Sequence, residues 1–222
     1  MRATVLLLYI ASALLAKDEA ANRLNEAALV FEEIMGTPDK AIPQDLLDKA
    51  HCIVVVPGLK KGAFIIGAKY GKGYLSCRKP SGGWSAPGSI RVEGGSVGFQ
   101  IGGSETDVVM LVMNERGANK LLSSKFTLGG EGSVAAGPVG RTATAETDAA
   151  MRAEILSWSR SRGVFAGLSL QGATLRQDLG DNQALYGKKI ENRDIIKSGI
   201  AVPSAGAKFI SLLTKYSAKE QK

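Results

Sequence analysis

Few side chains in this sequence could do covalent or acid–base chemistry. His51 is the one imidazole in 222 residues, and it has no H-E-x-x-H partner; it reads as a structural histidine after a helix. Ser169, in Gly167-Leu168-Ser169-Leu170-Gln171, stops one glycine short of G-x-S-x-G. No phosphate-cradling glycine motif is complete, because Gly71-Lys72-Gly73 and Gly102-Gly103 leave G-x-G-x-x-G unfinished, so no nucleotide or other cofactor is expected. One histidine and two cysteines also exclude a histidine-rich zinc site, a four-cysteine finger and a multi-disulfide scaffold, so no metal is expected. The best acid is Asp107, two residues from Glu105 at the edge of an apolar run. It either serves a hydrolase or transferase together with Arg162, or caps backbone at a strand end; the second is the stronger reading. Overall the inventory argues against an enzyme.

The cations are more informative. The chain carries 28 Lys and Arg against 21 Asp and Glu, a net +7. Residues 1–50 are net −3, 51–125 net +6 and 126–222 net +4. Lys60 and Lys61 are expected in a turn after Pro57-Gly58, and Lys69, Lys72, Arg78 and Lys79 around hairpin tips, where like-charged loops make an anion-attracting surface. Each lysine near an anionic bilayer contributes about 1 kcal/mol. Arg141, Arg160 and Arg162 sit beside glycine-rich turns and either cap carbonyls, pair with a carboxylate or bind a phosphate. Nucleic acid is the competing polyanion. Only 6% of residues are aromatic, Trp84, Tyr70 and Tyr74 being the candidate stacking platforms, and nucleic acid is not an expected partner.

These residues need elements to position them. Ala20, Leu24, Ala27, Ala28, Phe31, Ile34 and Met35 recur at helical spacing and predict an amphipathic helix over 18–35, with a second short helix over 43–50. Glu26, Glu32 and Glu33 on the polar face favour packing on its own domain over lying in a membrane. Strands are expected at 52–56, 63–70 and 74–78, the last two joined by a turn at Gly71-Lys72-Gly73, and again around 89–93, 97–101 and 108–113. Asn114 should cap a short helix to Leu122, and extended structure should follow at 133–139, 164–170 and 173–176, with helices over 148–158 and 184–216. Thirteen of the 27 glycines lie between Gly58 and Gly103. Glycine in strands marks bulges and close backbone approach, so the expected fold is α+β: a coiled, antiparallel, barrel-like glycine-rich sheet flanked by N- and C-terminal helices.

Met1-Arg2 followed by an apolar run over 3–16 is too short for a bilayer span, which takes about 20 residues, and reads as a secretory signal cleaved after Ala16. Residues 17–222 then form one domain in a periplasmic or secreted location. Cys52 and Cys77 are either a disulfide, stabilising by roughly 3.5 kcal/mol in the chain-entropy account, or two separate buried thiols.

The segments Cys52-Ile-Val-Val-Val-Pro-Gly-Leu-Lys-Lys-Gly62, Gly82-Gly-Trp-Ser-Ala-Pro87 and Gly94-Gly-Ser-Val-Gly-Phe-Gln-Ile-Gly-Gly103 carry a family resemblance. So do Asp107-Val-Val-Met-Leu-Val-Met113, Ser133-Val-Ala-Ala-Gly-Pro-Val-Gly-Arg141, Trp158 ahead of Ser161-Arg-Gly-Val-Phe-Ala-Gly-Leu-Ser-Leu170, and Asn182 to Gly187. In this order, over roughly residues 25–200, the sequence resembles the SYLF family of lipid-binding domains. Eukaryotic members bind phosphoinositide membranes, some also bind actin, and many carry an SH3 or FYVE domain. For an exported bacterial member the resemblance implies non-enzymatic binding of anionic phospholipid, with actin not an expected partner. The alternative is an envelope module that binds other proteins through its sheet edge.

Overall fold

The computed structural model describes residues 2–37, 42–63, 66–97, 102–139, 152–161, 164–167 and 170–217. Helix α1 spans Arg2–Gly36 and α2 spans Gln44–Lys49, entered through Pro43. The seven residues of the expected apolar face, from Ala20 to Met35, are all buried. Ala20 is the first buried side chain described, whereas Leu15, within the same helix, is 66% exposed.

The strands are β1 (Cys52–Ala63), β2 (Ile66–Cys77), β3 (Gly88–Val97), β4 (Gly102–Val112), β5 (Lys125–Thr127), β6 (Val134–Ala136), β7 (Ile155–Ser161), β8 (Val164–Gly167) and β9 (Thr174–Gln177). They form one curled, half-barrel sheet of order β5-β9-β3-β2-β1-β4-β7-β6, with β8 paired to β7. All ladders are antiparallel except β6–β7. Helix α3 (Glu115–Leu121) is capped as expected: the Asn114 side chain accepts from the Gly117 N–H at 2.8 Å. The C-terminal part holds α4 (Leu179–Tyr186), α5 (Asn192–Lys197), a 3-10 turn (Ser204–Gly206) and α6 (Ala207–Tyr216). The architecture is α+β with a coiled sheet and helices at both ends.

Hydrophobic residues bury on both faces of the sheet. Ile53, Val55, Tyr74, Val109, Leu111 and Trp158 pack under α1, α2 and α6. Val54, Val56, Leu75, Val108, Met110 and Val112 fill the other face with Phe126 and Leu128. That double burial is why the runs Cys52–Val56 and Val108–Val112 are apolar without alternation.

Expectations are corrected in three regions. Gly71-Lys72-Gly73 is not a hairpin turn: β2 runs straight through it, and the reversal lies between Ala63 and Ile66. The glycines are there because β1 presses on them. A Cβ at Gly73 would sit 2.2 Å from the Val55 carbonyl oxygen, and one at Gly71 2.9 Å from Leu59 Cδ1. The turn expected after Pro57-Gly58 is likewise corrected, because β1 continues through Lys60 and Lys61 and its backbone only bulges at this level. Val56 pairs with Val108 and Leu59 with Thr106, so Pro57 and Gly58 together oppose Asp107. A bulge is one of the few places in a sheet that tolerates proline, and Gly58 adopts φ +56, which favours glycine. Second, the helix expected over 148–158 gives way to β7 from Ile155 onward; residues 148–151 lie outside the described residues. The short apolar run Ile155–Trp158 suits a helix or a buried strand equally by pattern, and pairing with β4 decides it. Third, the tail is not one helix: Gly187, at φ +72, ends α4, and Pro203 precedes the 3-10 turn. The segment expected as a strand over 97–101 contributes Val97 to β3, and 98–101 lie outside the described residues.

Candidate functional site

The β1–β2 pair carries most of the cations singled out from sequence, and it sorts them into three environments. At the reversal end, Lys61 stands directly opposite Lys69. Their other cross-strand neighbours are Ser104 on β4 and Gly94 on β3, neither of which brings a carboxylate. Burial, reinforced by the Lys69 charge, holds the Lys61 ammonium below the usual lysine range. Lys60 is exposed and faces the opposite side of the sheet, opposite Tyr70 on β2 and Glu105 on β4.

Midway along β2, Lys72 is held by internal pairs. Its Nζ lies 2.9 Å from Asp178 and 2.8 Å from Asp181, at the start of α4. Burial opposes its charge, but the hydrogen bonds to Asp181 and Asp178 outweigh it and raise the pKa. Asp178 is correspondingly depressed: burial works against the carboxylate, and the Lys72 and Asp181 N–H hydrogen bonds overcome it. Arg23 on α1 completes the group by pairing with Asp181.

At the far end, Arg78 is enclosed. It donates to the Ala50 carbonyl (3.0 Å), to Leu47 O (3.1 Å) and to Ser217 O (2.8 Å), and its guanidinium lies 4.6 Å from the Trp84 ring centroid. Burial lowers its pKa. Trp84 Nε1 donates to Ser217 Oγ, so the end of α6 is stapled to the connection between β2 and β3. Beside it, Cys52 and Cys77 are opposite each other in register and bonded. Lys79 is exposed on the adjoining turn. The expectation of one cationic cluster is therefore corrected. With no turn at Gly71–Gly73, the nine residue steps from Lys69 to Arg78 extend for about 30 Å. Arg141 and Arg162 lie outside the described residues.

A cleft of about 730 Å³ opens between α1 and the bulged stretch of sheet. Helix α1 supplies Arg23, Glu26, Leu29, Val30 and Glu33; β1 supplies Pro57, Gly58 and Lys60; β2 supplies Tyr70 to Lys72; β4 and β7 supply Glu105 to Asp107 and Arg160. Asp107, the candidate acid, is fully engaged here. It accepts from the Gly58 N–H at 3.0 Å and from Arg160 Nη2 and Nε at 2.8 and 3.1 Å, and Arg160 also pairs with Glu33 of α1. Burial opposes the Arg160 charge, but its bonds to Glu33 and Asp107 raise its pKa. This chain of contacts fixes the bulge and ties it to the helix, which is structural work rather than acid–base chemistry. Among the described residues no group of three His, Cys, Asp or Glu side chains could hold a metal ion. No helix is long and apolar enough, among them, to cross a membrane.

Sequence reading missed the cleft and its Arg160, Glu26 and Tyr70 linings. Arg160 was visible only as an arginine beside a glycine-rich turn, and its partners lie 53 and 127 positions away.

The frame is a curled sheet with α1, α2 and α6 packed on one face, α3 against the other, and lysines without an ion pair among the described residues at one end of the β1–β2 ladder. The chain belongs to the Ysc84 (SYLF) family: the model described as "Ysc84: Las17-binding protein actin regulator" matches residues 93–216. Among curated relatives it is similar to "SH3 domain-containing YSC84-like protein 1" of Rattus norvegicus, 32% identical over 183 residues, covering 82% of this chain and 54% of that protein. The Homo sapiens protein of the same name is 32% identical, at 82% and 53% coverage. "Protein YSC84" of Saccharomyces cerevisiae is 31% identical over 178 residues, at 79% and 38%. The chain thus spans about half or less of the length of these relatives. None of these descriptions names a catalysed reaction.

Proposed function

We propose that this chain is a non-enzymatic binding domain that docks on anionic phospholipid surfaces through the open end of the β1–β2 ladder. Lys61 and Lys69 meet the headgroup phosphates, and Lys60 adds to the local positive field. The observation that carries this reading is the Lys61–Lys69 pair. Two like charges directly opposite on a sheet are unfavourable, and Ser104 and Gly94 offer them no carboxylate. An arriving anion removes both the repulsion and the depression of Lys61. The test is co-sedimentation of the full chain with vesicles. Binding should require anionic lipid, fall with salt, and drop at least tenfold in Lys61→Glu with Lys69→Glu, at on the order of 1 kcal/mol per lysine. Equal binding to neutral vesicles, or no effect of the double variant, sinks it.

The family description, which speaks of a Las17-binding actin regulator, favours a second reading in which the domain binds a protein partner. Co-sedimentation with filamentous actin in the absence of lipid, undiminished by the same variant, would support that reading instead. We also propose that residues 1–16 are a cleaved export signal and that the Cys52–Cys77 bond forms in an oxidising compartment. The described buried face beginning only at Ala20 supports the first of these. Intact mass of the protein recovered from its own cells checks both: a retained leader or two free thiols would overturn them.

A further inference from the structure

The cleft under α1 is lined by four cations and four carboxylates, and most of them already hold one another or a neighbour. Arg23 and Lys72 engage Asp178 and Asp181, and Arg160 engages Asp107 and Glu33. Among the described residues, the charged linings left without an ion pair are Lys60, Glu26 and Glu105. Three groups share one cross-strand row: Lys60 on β1 has Tyr70 opposite it on β2 and Glu105 opposite it on β4. Tyr70 is 48% exposed, and Leu29, another exposed apolar residue, shares the cleft. The row therefore presents an aromatic ring, an ammonium and a carboxylate in that order across β2, β1 and β4, with the Glu26 carboxylate on the helix wall.

A purely anionic ligand would satisfy Lys60 and meet two carboxylates, and a purely cationic one would do the reverse. We propose that this cleft binds a small zwitterion that joins a phosphate to an ammonium group, of the phosphoethanolamine or phosphocholine kind. The phosphate pairs with Lys60 in the middle of the row, the ammonium lies toward Glu105 with Glu26 across from it on the helix, and the Tyr70 ring walls the other side of the phosphate. The cleft volume exceeds that of a free amino acid and leaves room toward Leu29 for whatever the phosphate is esterified to. The site is on the opposite face of the sheet from Lys61 and Lys69, so it does not depend on the surface-docking reading.

The test is calorimetric titration of the full chain with O-phosphoethanolamine, ethanolamine and inorganic phosphate. O-phosphoethanolamine should bind at least tenfold more tightly than either half. Glu105→Gln should remove that advantage while leaving inorganic phosphate unchanged, and Lys60→Gln should weaken both phosphate-bearing probes. Both residues are exposed, and matching circular dichroism spectra would confirm that the variants fold. Competition by phosphatidylethanolamine vesicles would assign the group to a lipid headgroup, and its absence to a soluble phosphate ester. Inorganic phosphate binding as well as O-phosphoethanolamine, an unaltered affinity in Glu105→Gln, or no measurable binding of any probe overturns the proposal. Lys61→Glu with Lys69→Glu should leave the titration as it was, so the two readings fail separately.

Discussion

At one end of the β1–β2 ladder Arg78 gives its guanidinium to three backbone carbonyls and the Trp84 ring, beside the Cys52–Cys77 bond. About 30 Å along the same strands Lys61 and Lys69 confront each other, and neither has an ion pair among the described residues. Both ends are cationic, and from sequence they look like parts of one patch. The difference is in what the remainder of the chain brings to each. The end of α2 and Ser217 reach Arg78 and supply carbonyls, while β3 and β4 bring only Gly94 and Ser104 to the lysines. A half-buried cation that is hydrogen-bonded to three carbonyls holds the fold together. A cation kept next to its like with no counter-charge costs stability in the isolated protein and is the more plausible binding group.

Substitutions can break or sharpen this contrast. The largest effect is expected at the enclosed end. Removing the disulfide with Cys52→Ala and Cys77→Ala should lower unfolding free energy by about 3 kcal/mol in denaturant titrations, with vesicle affinity of the folded protein unchanged. Arg78→Ala removes three hydrogen bonds to carbonyls and should cost about 3 kcal/mol by the same measurement, again without affecting vesicles. Asp107→Ala, between the two ends, frees the Gly58 N–H and Arg160 and should cost about 2 kcal/mol. Its amide hydrogen exchange should rise first at Gly58, and a rise confined to the Arg78 end would contradict the bulge account.

Acid should act through the Lys72 group. The folded pKa of Asp178 is depressed, so its contribution is present above the ordinary carboxylate value of about 4 and is lost as pH falls through the lower folded value. Thermal midpoints should therefore drop below about pH 4, and by less in Lys72→Ala. The smallest effect is at the open end. Lys61→Gln removes a like-charge contact and should stabilise by about 0.5 kcal/mol while weakening binding to anionic vesicles. Destabilisation there would mean that Lys61 has a structural role like that of Arg78.

Much of the scaffold was legible because its causes are local. The α1 face follows from seven apolar positions at helical spacing, and the Asn114 cap from one side chain and the N–H groups that follow it. The double-faced burial of 52–56 and 108–112 was visible as unbroken apolar runs. Gly71-Lys72-Gly73 was misread because a glycine serves a turn and a close approach equally well, and only the position of Val55 distinguishes them. The state of each cation was likewise hidden, since Lys72 meets Asp181 across 109 positions and Arg78 meets Ser217 across 139. The Cys52–Cys77 choice was open for the same reason, as it depends on strand register.

The Pro57–Gly58 bulge acts as a frameshift in space. Upstream of it, even-numbered β1 residues such as Val54 and Val56 face the inner core and odd-numbered ones face α1; downstream, Leu59 has taken the inner side. The extra residue thus sets the parity of everything that follows, sending Lys60 to the cleft and Lys61 to the opposite face. A regular strand that kept both residues would exchange the two lysines and carry each into the other's surroundings, whereas deleting one of the pair would remove the bulge and leave both lysines facing as they do. The identity of both candidate sites is therefore written less in the lysines than in the irregularity of the strand before them.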